Sequence, residues 1–163
     1  MVDQQSERGQ EWLETLLKLM GIPASAAIEE RETAEGEPSW WLIVDETQLT
    51  PAQVEILLGQ KGENLDAIQY LANSSLNIGI DVSQQRAFTI ELDGYRRRRE
   101  QELFAWTQQV AQQVRQTGQE VEMTPLSSAE RRQVHTFLKD AEDLATESRG
   151  QEPNRRLVVR PRQ

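Results

Sequence analysis

Gly59 and Gly62 stand three residues apart between two segments that both read as helix, so the chain must reverse tightly over Gln60-Lys61. Upstream, Thr50-Pro51-Ala52-Gln53 is a helix start. Thr50 can cap, proline suits the first helical position, and Gln53 can close a capping box. This helix carries Val54, Leu57 and Leu58 on one face and stops at Gly59. A second helix begins near Gly62 and turns Leu65, Ile68, Leu71, Ala72 and Leu76 inward. Glycine tolerates unusual backbone angles and keeps no side chain between the loop and a ligand. The second helix aims its first N–H groups at the loop, and that end carries partial positive charge. Lys61 adds a full charge. Gly59, Gln60, Lys61 and Gly62 therefore form a candidate phosphate cradle, with Ile56, Leu57, Leu65 and Ile68 expected to line an aliphatic groove beside it. The plainer alternative is an ordinary tight turn.

Around this pair the chain alternates between helix and strand. Trp12, Leu13, Leu16, Leu17 and Met20 recur at helical spacing over residues 9–20, ended by Gly21 and Pro23. Residues 24–31 form a weak strand, and Glu32 to Pro38 a polar turn. Ser39 to Asp45 encloses an apolar run suited to a buried strand. Over 86–93, Phe88, Ile90 and Leu92 alternate with Thr89 and Glu91. A long helix follows Gly94 to about Thr117, with Tyr95, Leu103, Trp106, Val110 and Val114 as its stripe and Gly118 as its stop. Glu120 to Met123 suits a short strand. Ser127 or Ser128 can cap a helix reaching Lys139. A polar loop then leads to Arg156-Leu157-Val158-Val159-Arg160, a terminal strand closed by Pro161. The order α-β-β-α-α-β up to residue 93 is that of a type II KH domain, a fold that grips about four nucleotides of backbone with such a loop.

The net charge of −9 opposes nucleic-acid binding when taken over the whole chain. Its distribution does not. Residues 1–94 hold five Lys/Arg against 17 Asp/Glu, whereas residues 95–163 hold 13 against ten. Arg96 to Arg99 form one basic cluster, and Arg155, Arg156, Arg160 and Arg162 another. A solvated helix face and tail would account for them equally well. No cysteine and a single histidine exclude cysteine and histidine-rich metal sites, and no cofactor is expected. The first residues lack the basic start and apolar stretch of a secretory signal, and no apolar run is long enough to span a membrane. A cytoplasmic protein is expected. Trp12, Trp40, Trp41 and Trp106 sit on apolar faces, which favours core packing over base stacking. Glu29, Glu30, Glu32, Glu35 and Glu37 have no histidine or metal partner nearby and suit a solvated turn. Nothing resembles a catalytic triad or a nucleotide loop, so no enzyme is expected.

Arg131 and His135 lie four apart on the predicted helix and share a face. Together they can meet one phosphate or a base edge, the arginine through its fork of donors. A packed histidine is the plainer reading of that pair.

These blocks carry a family resemblance. Leu57-Leu58-Gly59-Gln60-Lys61-Gly62-Glu63-Asn64-Leu65-Asp66-Ala67-Ile68-Gln69-Tyr70-Leu71-Ala72-Asn73, Asp93-Gly94-Tyr95-Arg96-Arg97-Arg98-Arg99-Glu100, and Glu152-Pro153-Asn154-Arg155-Arg156-Leu157-Val158-Val159 are similar to the bacterial Jag family (SpoIIIJ-associated, KH-domain protein B). The likeness runs from about residue 9 to residue 161. It implies an α+β chain: a type II KH domain (α-β-β-α-α-β) over 9–95, a connecting helix over 96–118, and a small α/β R-three-H domain over 119–161. Arg-x-x-x-His is the signature of that second domain, which binds single-stranded nucleic acid. The resemblance thus makes Gly59, Gln60, Lys61, Gly62, Arg131 and His135 RNA-binding residues, with Arg155 and Arg156 added on charge. It implies a tandem, non-catalytic binder of single-stranded RNA, a post-transcriptional regulator or RNA chaperone, with a small KH-only protein as a possible partner. Many family members have a further N-terminal domain, for which this chain has no room. The alternative function is a protein-interaction adaptor whose acidic KH half docks a partner and binds RNA weakly or not at all.

Overall fold

In the computed structural model, which describes residues 4–32, 36 and 38–162, five α-helices and two three-stranded sheets make an α+β chain. It divides into two units, Met1–Arg96 and Arg97–Gln163.

The first unit runs α1 (Gln4–Leu19), β1 (Ala26–Glu32), β2 (Pro38–Val44), α2 (Pro51–Leu58), α3 (Glu63–Leu76) and β3 (Ala87–Leu92). The apolar run of β2 takes the centre of the sheet, antiparallel to β1 and parallel to β3, with Trp40 opposite Phe88 and Leu42 opposite Ile90. Alternation turns Trp40, Leu42 and Val44 to the same side as Phe88, Ile90 and Leu92. Leu13 and Leu17 of α1, Leu57 of α2, and Leu65, Ile68, Ala72 and Leu76 of α3 complete this core. Trp41 faces the other way, with the Arg31 guanidinium 4.0 Å above its ring. Trp12 and Trp106 each pack against a core, as their spacing predicts.

Two expectations for this unit fail. Leu71 is exposed, because α3 shows the sheet a narrower stripe than its apolar content suggests. Leu57, Leu65 and Ile68 are core residues rather than groove lining, and of the four proposed groove residues only Ile56 reaches the surface, at 56% exposure. The Glu32–Pro38 turn lies partly outside the described residues, as do Glu35 and Glu37.

β3 is an edge strand, and α3 finishes it with side chains. Gln69, Asn73 and Asn77 lie four apart on one line of the helix. Gln69 accepts from the Ile90 N–H at 2.9 Å. Asn73 accepts from the Phe88 N–H and donates to the Phe88 carbonyl, both at 2.8 Å. Asn77 repeats the exchange with Arg86 at 3.1 and 2.9 Å. Three amides thus replace the missing strand and leave no bare edge there to recruit another chain.

The second unit contains α4 (Tyr95–Thr117, whose first two residues belong to the first unit), β4 (Val121–Met123), α5 (Ser128–Phe137), β5 (Leu144–Arg149) and β6 (Arg156–Pro161). Its sheet is antiparallel in the order β4-β6-β5, so the apolar Leu157-Val158-Val159 run is again central. Leu103, Val110, Ala111 and Val114 of α4 share a core with Met123, Leu126, Val134, Leu138, Leu144, Leu157 and Val159. β5 stands where the sequence suggests a polar loop. Beyond Leu144 its residues carry no apolar alternation, since they meet hydrogen-bonding and charged partners instead.

Removing the central amide tests the edge. Asn73→Ala leaves both Phe88 backbone groups unpaired and should lower stability by about 1–3 kcal/mol. Ser74→Ala, on the exposed side of the same helix, should stay within about 0.5 kcal/mol of the parent. Urea unfolding of both variants measures the difference.

Candidate nucleic-acid interface

The Thr50 capping box forms as its residues suggest: Thr50 Oγ1 accepts from the Gln53 N–H at 3.2 Å, and the Gln53 side chain accepts from the Thr50 N–H at 2.9 Å. α2 ends at Gly59, and a single 3-10 turn, Gln60–Gly62, leads into α3. Gly59, Lys61 and Gly62 have φ of 68°, 53° and 75°. Two of these positions need glycine for space as well. A Cβ on Gly62 would enter the Tyr95 ring, and one on Gly59 would strike the side chain and backbone N of Asn64. Asn64 is what closes the loop: its Nδ2 donates to the Ile56 carbonyl at 2.7 Å, satisfying the end of α2. No side chain caps the start of α3. Lys61 is exposed and, among the described residues, has no carboxylate partner. Of the two acids in the first turn of α3, Glu63 and Asp66, Asp66 is held by Arg96 at 2.8 Å. Arg96 also donates from Nε to the Ile90 carbonyl at 2.8 Å. The basic cluster is therefore partly structural, and Arg99 likewise bonds Glu130 at 2.6 Å.

In the second unit Ser127 is the cap of α5, its hydroxyl accepting from the Glu130 N–H while Glu130 returns the bond. This start fixes Arg131 and His135 on one face. Arg131 is 5% exposed. Its Nη1 donates to the carbonyls of Leu126 (2.9 Å) and Arg155 (3.3 Å), and its Nη2 pairs with the Glu152 carboxylate. The Glu152 side chain itself is 60% exposed. The ring nitrogens of His135 lie 2.5 Å from Thr146 Oγ1 and 3.3 Å from Ser148 Oγ on β5. Burial, and then the positive charge of Arg155, hold the His135 pKa below its ordinary value of 6.5. Arg131, His135 and Arg155 are thus brought together, with Glu152, Thr146 and Ser148 as partners that the sequence did not mark. Arg155 and Arg156 are exposed. Arg156 lies 3.5 Å from Glu122, whereas Arg155, like Arg132 on α5, has no carboxylate partner among the described residues. Arg149 bonds both Glu120 and Glu147, which holds both carboxyls below their usual range.

Residues 101–161 match the model of the R-three-H domain family. Among curated proteins, the chain is 29% identical over 149 residues to the RNA-binding protein KhpB of Clostridium symbiosum, covering 91% of this chain and 63% of that one. The KhpB of Bacillus subtilis (strain 168) is 28% identical over 113 residues, 68% of this chain and 53% of that protein. The KhpB of Lactiplantibacillus plantarum is 31% identical over 104 residues, 64% of this chain and 32% of that protein. The chain therefore spans from 32% to 63% of the length of these relatives. The second unit carries an R-three-H domain. Over most of its length the chain is similar to these KhpB proteins. No helix among the described residues is long and apolar enough to cross a membrane.

Two outcomes test this geometry. Arg131→Met leaves the Leu126 and Arg155 carbonyls without their buried donor, while the exposed Glu152 carboxylate returns to water, and should destabilise the chain by about 1–3 kcal/mol in urea unfolding. Arg131→Lys should recover only part of that, since one ammonium lacks the planar fork. His135, the single histidine, should titrate below 6.5 by NMR. The unfolded chain then takes up its proton first as pH falls, so stability should drop as pH is lowered through 6.5 toward the depressed folded value. His135→Gln should flatten that slope, and a titration at or above 6.5 would contradict the assignment.

Proposed function

We propose that the chain is a non-catalytic binder of single-stranded RNA acting in the cytoplasm, as a post-transcriptional regulator or RNA chaperone. In this reading residues 9–95 are a type II KH domain whose Gly59-Gln60-Lys61-Gly62 loop receives the RNA backbone. The second unit extends the footprint with the exposed Arg155 and Arg156. The carrying observation is the loop itself. Three of its four residues have positive φ, and exposed Lys61 stands before an uncapped fourteen-residue helix. Such an end attracts phosphate through its N–H groups and partial charge. Pairing of Asp66 with Arg96 removes one acid that would otherwise oppose it. The names of the KhpB relatives as RNA-binding proteins support the same reading. Linking two modest modules raises the effective concentration of each for one strand. A small KH-only protein is a further candidate partner.

One observation favours a second reading, that of a protein-binding adaptor. Leu49, Val54 and Leu58 floor a surface cleft rimmed by Glu46, Glu55 and Asp93, in a unit rich in acids. That composition suits a basic peptide.

Binding of a short fluorescent single-stranded RNA at two salt concentrations separates the readings. The KH reading expects affinity that falls steeply with salt, and a loss of at least about tenfold in Gln60→Asp/Lys61→Asp, which keeps both glycines. Equal binding by parent and variant assigns the contact to the second unit. No binding by the parent at either salt rejects the RNA reading and favours the adaptor.

A further inference from the structure

Phe104 of α4 and Phe137 of α5 meet edge to face within the second unit, with ring centroids 5.2 Å apart and planes at 88°. Phe104 keeps 47% of its surface exposed. With Glu100 and Gln101 the two rings line an open cleft of about 250 Å³. An edge-to-face pair engages the face of one ring and the edge of the other, so a flat aromatic surface remains unpacked. Helical spacing sets Arg97, Gln101 and Phe104 along one side of α4. Arg97 is exposed and has no carboxylate partner among the described residues.

We propose that this cleft holds one unpaired nucleobase of a bound RNA, stacked on Phe104, with its edge read by Glu100 and Gln101. The proposal rests on the RNA-binding reading and adds a site to it. Three features select a base over an aliphatic side chain. The apolar surface is made of flat rings, and stacking on such a ring accepts any base. Both polar groups beside it suit a hydrogen-bonding edge: a carboxylate accepts, and an amide donates and accepts. Arg97, two turns back on the same side, offers charge to a neighbouring phosphate. The carboxylate also sets a preference. Guanine offers two adjacent donors, N1–H and N2–H, to Glu100, whereas uracil offers one donor between two carbonyls that a carboxylate repels. The site therefore favours guanine over uracil.

The test uses the full chain and two fluorescent RNAs, a short uridine oligomer and the same oligomer with one central guanosine, at low salt. The parent should bind the guanosine RNA more tightly. Phe104→Leu keeps an apolar contact with Phe137 but removes the stacking face, and should weaken binding roughly tenfold. Phe104→Trp should retain it. Glu100→Gln should erase the preference for guanosine, narrowing the gap between the two RNAs. Urea midpoints of the variants confirm that the half-exposed side chain is dispensable for folding. Parent-like binding by Phe104→Leu overturns the stacking site, and an unchanged guanosine preference in Glu100→Gln overturns the edge reading. If Gln60→Asp/Lys61→Asp loses affinity in the same assay while Phe104→Leu does not, the RNA reading stands without this site. If the parent binds neither RNA, both fall together.

Discussion

Arg131 gives up its water and binds three groups at once: the Leu126 carbonyl before α5, the Arg155 carbonyl at the start of β6, and the Glu152 carboxylate in the loop between β5 and β6. A buried charge is tolerable only when its donors are matched, and here the matching joins three segments that the small sheet alone could not fix. One turn further along the helix, His135 reaches Thr146 and Ser148 on β5. The pair spaced for one phosphate is therefore engaged inside the fold. Arg131 sets where the loop leaves the sheet, and through it where Arg155 and Arg156 stand. Charge offered to a ligand comes from the residues that the arginine positions.

The first unit solves a similar problem with neutral groups. A three-stranded sheet has two edges, and the β3 edge is completed by the amides of Gln69, Asn73 and Asn77. This binds α3 in register with β3, two backbone residues for each helical turn. The glycine loop precedes the same helix, and Gly62 lies against Tyr95 just after the same strand. The loop is thus gripped from both ends of the α3–β3 pair, and the close contact with Tyr95 leaves no space for a side chain. A cradle so fixed has little entropy left to lose on meeting a ligand.

Much of this was legible in the chain. A continuous apolar run located β2, apolar alternation located β3, and the capping candidates Thr50 and Ser127 or Ser128 located α2 and α5, because burial and backbone capping leave marks in the sequence. The glycine pair announced a special backbone by residue type alone. What periodicity could not show was polar. β5 keeps one buried apolar residue, Leu144, so its strand character comes from pairing with β6 rather than from its own pattern. The amides at 69, 73 and 77 have the right spacing but look like solvated helix surface until a strand edge lies beside them. Glu152 looks like loop charge, and its role appears only when Arg131 is found buried. The groove expectation failed for a related reason: Leu57, Leu65 and Ile68 read as available apolar surface, yet the sheet already claims them.

Charge sets the terms for any ligand of the second unit. Arg115 pairs with Asp143, Arg149 with Glu120 and Glu147, Arg160 with Glu147, and Arg156 with Glu122. Each is a surface pair, of the kind worth about 0–1 kcal/mol. Phosphate could displace such a carboxylate at little cost, but it would gain little by doing so, because a neutralised arginine attracts anions weakly over distance. The unit's long-range pull therefore comes from exposed cations that have no carboxylate partner among the described residues, such as Arg97, Arg132 and Arg155. On the reading proposed above, a surface with so little net charge holds a strand through short-range contacts: backbone N–H groups at the glycine loop, and ring faces where aromatic side chains remain open. The acidic balance of the whole chain then acts as a filter. It weakens indiscriminate attraction to nucleic acid and leaves binding to the places where geometry, rather than charge, makes the fit.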